Sequence, residues 1–158
     1  MSLDNEDAVS NPVVAVISKV SRIKAIMVKD VDYGIIKGCG TKPVLLKPGA
    51  EKLLLAFNIY AKVESVDIIE LEGFNREYRV IISLISRKDR LSVGFGIGSA
   101  STLERKFKRD NPPDIWNTML KMAKKRALVD AVLTSLGASM LFTQDLIETE
   151  REVNYDKE

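Results

Sequence analysis

The sequence contains no histidine and only one cysteine among 158 residues. Histidine is the side chain whose ordinary pKa puts its charge change near neutral pH, and it is the commonest metal ligand. Without it, Ser-His and Cys-His nucleophile pairs are excluded, and a lone Cys39 cannot build a structural zinc site. Cys39 cannot close an internal disulfide either, in keeping with a reducing compartment. No apolar run approaches the roughly 18–20 residues that span a bilayer. Residues 1–11 are acidic, where a signal peptide would be basic and then apolar, so a cytoplasmic location without a membrane partner is expected. Any catalysis would have to rest on carboxylates, lysines or a bound cofactor. No metal or cofactor is expected.

With 46% hydrophobic residues the chain can bury an ordinary core, and its length fits one domain. Its charge is segregated. Residues 1–11 carry Asp4, Glu6 and Asp7 with no cation, while residues 145–158 carry six acids against Arg151 and Lys157, a net of −4. Residues 12–144 hold 22 basic and 13 acidic residues, a net of +9. A basic body between acidic ends suggests a polyanionic partner, with tails that could screen it. The expected organisation is an acidic, disordered N-terminus over 1–11, one domain over 12–147 and an acidic tail over 148–158.

Asn11-Pro12 reads as a cap and first-turn pair. Val13, Val16, Ile17, Val20, Ile23 and Met27 then recur at helical spacing and predict a helix over 12–29. Loop punctuation follows at Asp32-Tyr33-Gly34 and Gly38-Cys39-Gly40, and Pro48 opens a second helix. Strands are predicted over 63–71, 77–86 and 91–97, joined by turns at Gly73–Arg76 and Arg87–Arg90 into an antiparallel meander. Residues 98–114 form a polar, basic connection. The longest helix runs from about Asp114 to Leu136 and stops at Gly137. A short helix follows from about Gln144, capped by Thr143. The fold class is α+β, in the order α-α-β-β-β-α-α, with the long basic helix packed on the sheet.

Three basic clusters stand out. Arg87, Lys88 and Arg90 occupy the predicted hairpin tip, which also suits a merely solubilising turn. Arg105, Lys106, Lys108 and Arg109 surround Phe107, a composition suited to phosphate contact with a stacking or packing ring alongside. On the long helix, Lys121, Lys124 and Lys125 share one arc, opposite the apolar Ile115, Met119, Met122, Val129, Leu133 and Leu136. Arg126 projects toward that apolar side, where a cation is costly unless paired. It is expected either to pair with Glu104, Asp130 or a neighbouring subunit's acid, or to stand beside the lysines at a groove mouth. Two enzyme-like signals are weaker. Gly94-Phe95-Gly96-Ile97-Gly98 lacks a phosphate-loop lysine and spacing, so strand geometry explains its glycines better. Asp67, Glu77 and Arg79 could echo the carboxylates and cation of a metal-dependent nuclease, but such triplets are frequent by chance.

The stretches Asp32-Tyr33-Gly34-Ile35-Ile36-Lys37-Gly38 and Lys47-Pro48-Gly49-Ala50-Glu51-Lys52-Leu53 resemble the opening motif of a group of phage and mobile-element proteins. Trp116 to Ala127 resembles the same group's tryptophan-initiated, lysine-rich helix, and Gly137-Ala138-Ser139 and Phe142–Asp145 continue in its style. The element order is similar to that of the Rad-fifty-two-type superfamily of annealing proteins, including Sak-like and Erf-like phage proteins. That resemblance implies single-stranded DNA binding and strand annealing, without catalysis, by rings or filaments of identical subunits in a bacterial host. It would place Lys121, Lys124, Lys125 and Arg126 near the DNA groove, with Arg87, Lys88 and Arg90 beside it. A host or phage single-strand-binding protein is a further candidate partner. The eukaryotic relatives carry their Lys-Arg pair later on the helix, near Asp130 and Ala131 here. The zinc-ribbon insertion of longer relatives is reduced to Asp110–Ile115. A non-annealing accessory that binds single strands is the alternative, and a nuclease the remaining one.

Overall fold

The structure is a computed structural model that describes residues 11–35 and 41–144. Helix α1 (Pro12–Ala25) starts where the sequence supplies a cap: the Asn11 side-chain oxygen accepts the Val13 N–H at 2.9 Å. It ends before the predicted residue 29. The reason is Asp32, whose carboxylate takes the Val28 N–H at 2.8 Å and so withdraws it from the helical ladder. Two short strands, β1 (Tyr33–Gly34) and β2 (Val44–Leu45), pair antiparallel. Two residues are too few to leave an alternating pattern, and neither strand was anticipated.

Helix α2 (Lys47–Ala56) holds Pro48 in its first turn, as expected. It is fastened to the preceding loop by Asp32, which is fully buried. The Asp32 carboxylate accepts from Lys52 Nζ at 2.5 Å, and its backbone carbonyl accepts from Leu46 N at 2.9 Å. Gly49 is in contact with that same carbonyl, where any Cβ would overlap it. The two stretches that open the resemblance are therefore wired to one another.

Strands β3 (Ile59–Glu70), β4 (Arg76–Ser86) and β5 (Ser92–Ser101) form the antiparallel meander, in the order β3-β4-β5. Each turn falls where the sequence placed it. Strand β3 begins four residues before the predicted start at 63, and β5 takes over residues 98–101 of the expected connection. Helix α3 (Pro112–Ser135) lies across β4 and β5, and Gly137 follows its end with φ 66° as the expected left-handed stop.

The core between sheet and helix is built from unequal halves. Strand β4 contributes Tyr78, Val80, Ile82 and Leu84, all buried. Strand β5 contributes glycine at 94, 96 and 98, met by Ser135, Ala131, Ala127 and Ala123 of α3. The row of α3 against the sheet is therefore Met119, Ala123, Ala127 and Ala131, all at 0% exposure. This corrects the stripe expected from the large residues: Val129, Leu133 and Leu136 are buried, but Ile115 and Met122 are only half-buried. Phe95 and Ile97 alternate with the glycines and stand on the outer face of the sheet, 61% and 55% exposed. Thr143, the expected cap of a last helix, makes an isolated bridge to Val44 instead, and the rest of that predicted helix beyond Gln144, residues 1–10, Cys39 and the acidic tail lie outside the described residues. Among the described residues no helix is long and apolar enough to cross a membrane.

A methyl group added at Gly96 would overlap the Ala131 nitrogen and lie 2.5 Å from the Ala127 carbonyl oxygen. Backbone cannot yield as a side chain can, so Gly96→Ala should cost about 3 kcal/mol, the upper range of overpacking. Phe95→Ala, one residue away and exposed, should change stability by only about 0.5 kcal/mol. Denaturant midpoints of the two variants would check the contrast.

Candidate nucleic-acid interface

Because Ala123, Ala127 and Ala131 fix which side of α3 meets the sheet, the helical step of about 100° fixes the rest. Lys121 and Lys125 point away from the sheet, and Lys124 stands on the flank toward β3. All three line one concavity of about 460 Å³ together with Lys47, Thr118, Met122 and Leu128. A second concavity adjoins it, sharing Lys47, Lys124 and Leu128. It continues over Leu54, Ala61 and Val63 to Tyr60 and Arg87. A third lies on the opposite flank of α3, between Lys47, Lys106, Lys125, Arg126 and Gln144. Lys47 borders all three. It was missed by sequence reasoning, because it is a single lysine at a helix start, 74 positions before Lys121.

The structure thus brings together Lys121, Lys124, Lys125 and Arg87, adds Lys47, and sets Lys106 on the far flank. Arg87 and Arg90 stand over the Tyr60 ring, at 5.4 Å and 5.7 Å from its centroid. The hairpin tip that carries them is ordered by its own bonds. Arg90 N donates to Ser86 O at 3.0 Å, and Leu91 N to the Asp89 carboxylate at 3.2 Å. Lys88, Arg105, Lys108 and Arg109 are exposed and line none of these three concavities. Phe107 packs against the core with Lys106 Nζ 4.9 Å from its ring, which makes it a packing residue.

The cations differ in how they are compensated. Lys47 pairs with Glu51 at 2.9 Å, and Lys106 lies 3.8 Å from Glu104. Among the described residues none of Lys121, Lys124, Lys125, Arg87 or Arg90 forms an ion pair. Like charges at (i, i+3) and (i, i+4) destabilise a helix by about 0.2–0.5 kcal/mol per pair. The lysine trio therefore works against the helix that bears it until an anion covers it.

Arg126 behaves differently. Of the partners open to it, Glu104 is the one it finds: Nη1 and Nη2 donate to the two carboxylate oxygens at 2.5 Å and 3.0 Å. Nη1 also donates to Ser99 O at 2.7 Å, on the free edge of β5. Asp130, one turn on, accepts the Ile97 N–H of that same edge at 2.9 Å. The guanidinium borders the third concavity, but its donors are engaged within the fold. Asp67, Glu77 and Arg79 sit on the outer sheet face, away from the lysines. There Arg79 pairs with Glu77 at 2.7 Å, and Asp67 lies opposite Arg79 in register. Among the described residues no three potential metal ligands are gathered.

No family model matches the chain, and no curated protein matches it.

Burial pushes the Glu104 carboxyl up, but the Arg126 guanidinium and the Ser101 N–H outweigh it and hold the group below its ordinary range. A carboxyl depressed in the folded state gives stability that is complete above its unfolded pKa and is lost as pH falls through the folded value. Melting temperature should therefore drop below about pH 4, and Glu104→Gln should flatten that drop. The pair keeps 30% and 24% side-chain exposure. Arg126→Ala should accordingly cost about 1–2 kcal/mol, less than a fully buried pair would. Lys125→Ala should cost nothing measurable by the same thermal scan.

Proposed function

We propose that the chain is a non-enzymatic binder of single-stranded DNA that anneals complementary strands, acting as an assembly of identical copies in the cytoplasm of a bacterial host. The observation that carries this reading is the run of lysines on α3 that form no ion pair among the described residues, beside an apolar floor. Cations alone would serve any polyanion. A floor of Leu54, Ala61, Val63 and Leu128 between Lys124 and Arg87 adds a surface that exposed bases can lie on. Duplex DNA turns its base faces inward and has no use for such a floor, whereas a single strand has. Tyr60, flanked by Arg87 and Arg90, supplies a ring on which a base can stack at the end of the path. The kinship with phage annealing proteins drawn from the motifs at 32–38, 47–53 and 116–127 is part of the same proposal.

Assembly would use one edge of the sheet in preference to the other. At β5, Asp130 and Arg126 occupy the Ile97 N–H and the Ser99 carbonyl. At β3 the outward backbone groups meet no such partner among the described residues, and Val63, Val66 and Ile68 are 40–51% exposed. Such an edge invites an added strand. Ile68→Lys, a charge on that edge, should therefore reduce assembly by light scattering and annealing rate together, and leave the affinity for a short oligonucleotide near parental. Annealing at the parental rate by a folded monomeric variant would defeat the assembly part of the reading.

Binding itself is tested by salt. Log affinity for oligo-dT should fall against log salt with a slope of about −0.7 per phosphate contact. Replacing Lys121, Lys124 and Lys125 by glutamine should weaken binding and flatten the slope by about two units, with a melting temperature no lower than the parent's. A slope that does not change would place the DNA elsewhere. Binding without acceleration of annealing between complementary oligonucleotides would favour the accessory role.

A further inference from the structure

The chain leaves the described structure beside the lysine face. Thr143 is stitched to β2 by two backbone bonds of 2.9 Å, Leu45 N to Thr143 O and Thr143 N to Pro43 O. The Gln144 amide donates to the Arg126 carbonyl at 2.9 Å, and Gln144 lines the same concavity as Lys47, Lys125 and Arg126. The next 14 residues carry Asp145, Glu148, Glu150, Glu152, Asp156 and Glu158 against two cations. They also carry Leu146, Ile147, Val153 and Tyr155. On the face itself, Lys121, Lys124 and Lys125 form no ion pair among the described residues, and Met122 and Leu128 line the same concavity.

We propose that residues 145–158 dock on this lysine face of their own chain and hold it when no nucleic acid is bound. The segment is complementary in both respects that matter, carboxylates for the lysines and aliphatic side chains for Met122 and Leu128. Reach is no obstacle. Fourteen residues extend to at most about 50 Å, and Lys121 to Lys125 spans only about 6 Å of helix. A tethered segment competes at an effective concentration of order millimolar, so weak contacts suffice to occupy the face without blocking a longer polyanion. The proposal rests on the lysine face being the nucleic-acid face, and the self-docking implies that the tail raises the selectivity for long strands over short ones.

Zero-length carbodiimide crosslinking of the full chain, read by peptide mass spectrometry, tests the docking directly. Amide links should join Glu148, Glu150 or Glu152 to Lys47, Lys121, Lys124 or Lys125 at monomer mass. They should vanish near 1 M salt, where screening falls to about 3 Å. A full-length variant combining E148Q, E150Q, E152Q and D156N should show faster amine acylation of those lysines. It should also bind oligo-dT roughly tenfold more tightly at low salt, with the two proteins converging at high salt. Absent links with unchanged acylation would overturn the proposal, and links found only at dimer mass would overturn its same-chain form. Links and lysine protection without any oligo-dT binding would sustain the docking and remove the DNA reading instead.

Discussion

Helix α3 approaches β5 so closely that glycine is required at 94, 96 and 98, and most of the architecture follows from that contact. Small residues on both sides let helix backbone rest on strand backbone, which is the densest way to join the two layers. The helix is thereby drawn over β4 and β5, leaving β3 uncovered on the same face with Val63, Val66 and Ile68 in view. The groove between α3 and β3 exists because the helix is displaced to the other side. The alanine row also sets the rotation of α3, and rotation decides where each cation goes.

The N-terminal part of the fold answers a different constraint, the burial of Asp32. Burial raises its pKa, yet the Lys52 ammonium and the Val28 N–H overcome this and keep the carboxyl below its ordinary range. An ionised group at 0% exposure is tolerable only with such partners, and they come from both ends of the loop that it organises. One of its oxygens is bonded to Lys52 and Val28, while the other has no partner among the described residues. The outcome is that α2 is held where its first residue, Lys47, meets the lysines of α3. The motif residues Asp32, Gly49 and Lys52 thus act on the candidate site through position, and touch none of its concavities.

How much of this could be read from the sequence depended on where each pattern draws its signal. Helices with a cap or a stop, such as Asn11 before α1 and Gly137 after α3, were legible because the signal is local. The meander was legible from its turns. Strand β5 is half-legible: its glycines suit strand geometry, but nothing local shows that they face a helix, since its large residues, Phe95 and Ile97, face outward. The same inversion hid the sheet-facing row of α3, where alanines carry the contact and larger residues flank it. The lysine trio was legible from helical spacing. Lys47 and Tyr60 were not, because their membership of the groove is made by tertiary packing across α2 and β3.

The four cations between 121 and 126 show why charge count is a poor guide to a site and angular position a better one. Three of them lie on the arc away from the sheet or toward β3, and form no ion pair among the described residues. The fourth, Arg126, falls on the β5 flank, where a planar fork can bind both oxygens of Glu104 and still reach the Ser99 carbonyl. A lysine there could not hold that geometry, since its ammonium is a point donor. With Asp130 on the next turn, this flank caps the β5 edge, while the opposite flank walls a groove. One helix therefore occupies part of an edge on one side and presents, on the other, lysines that form no ion pair among the described residues. Under the proposed assembly, strand addition at β3 would extend the sheet on the side where the groove is open, along the path proposed for a bound strand.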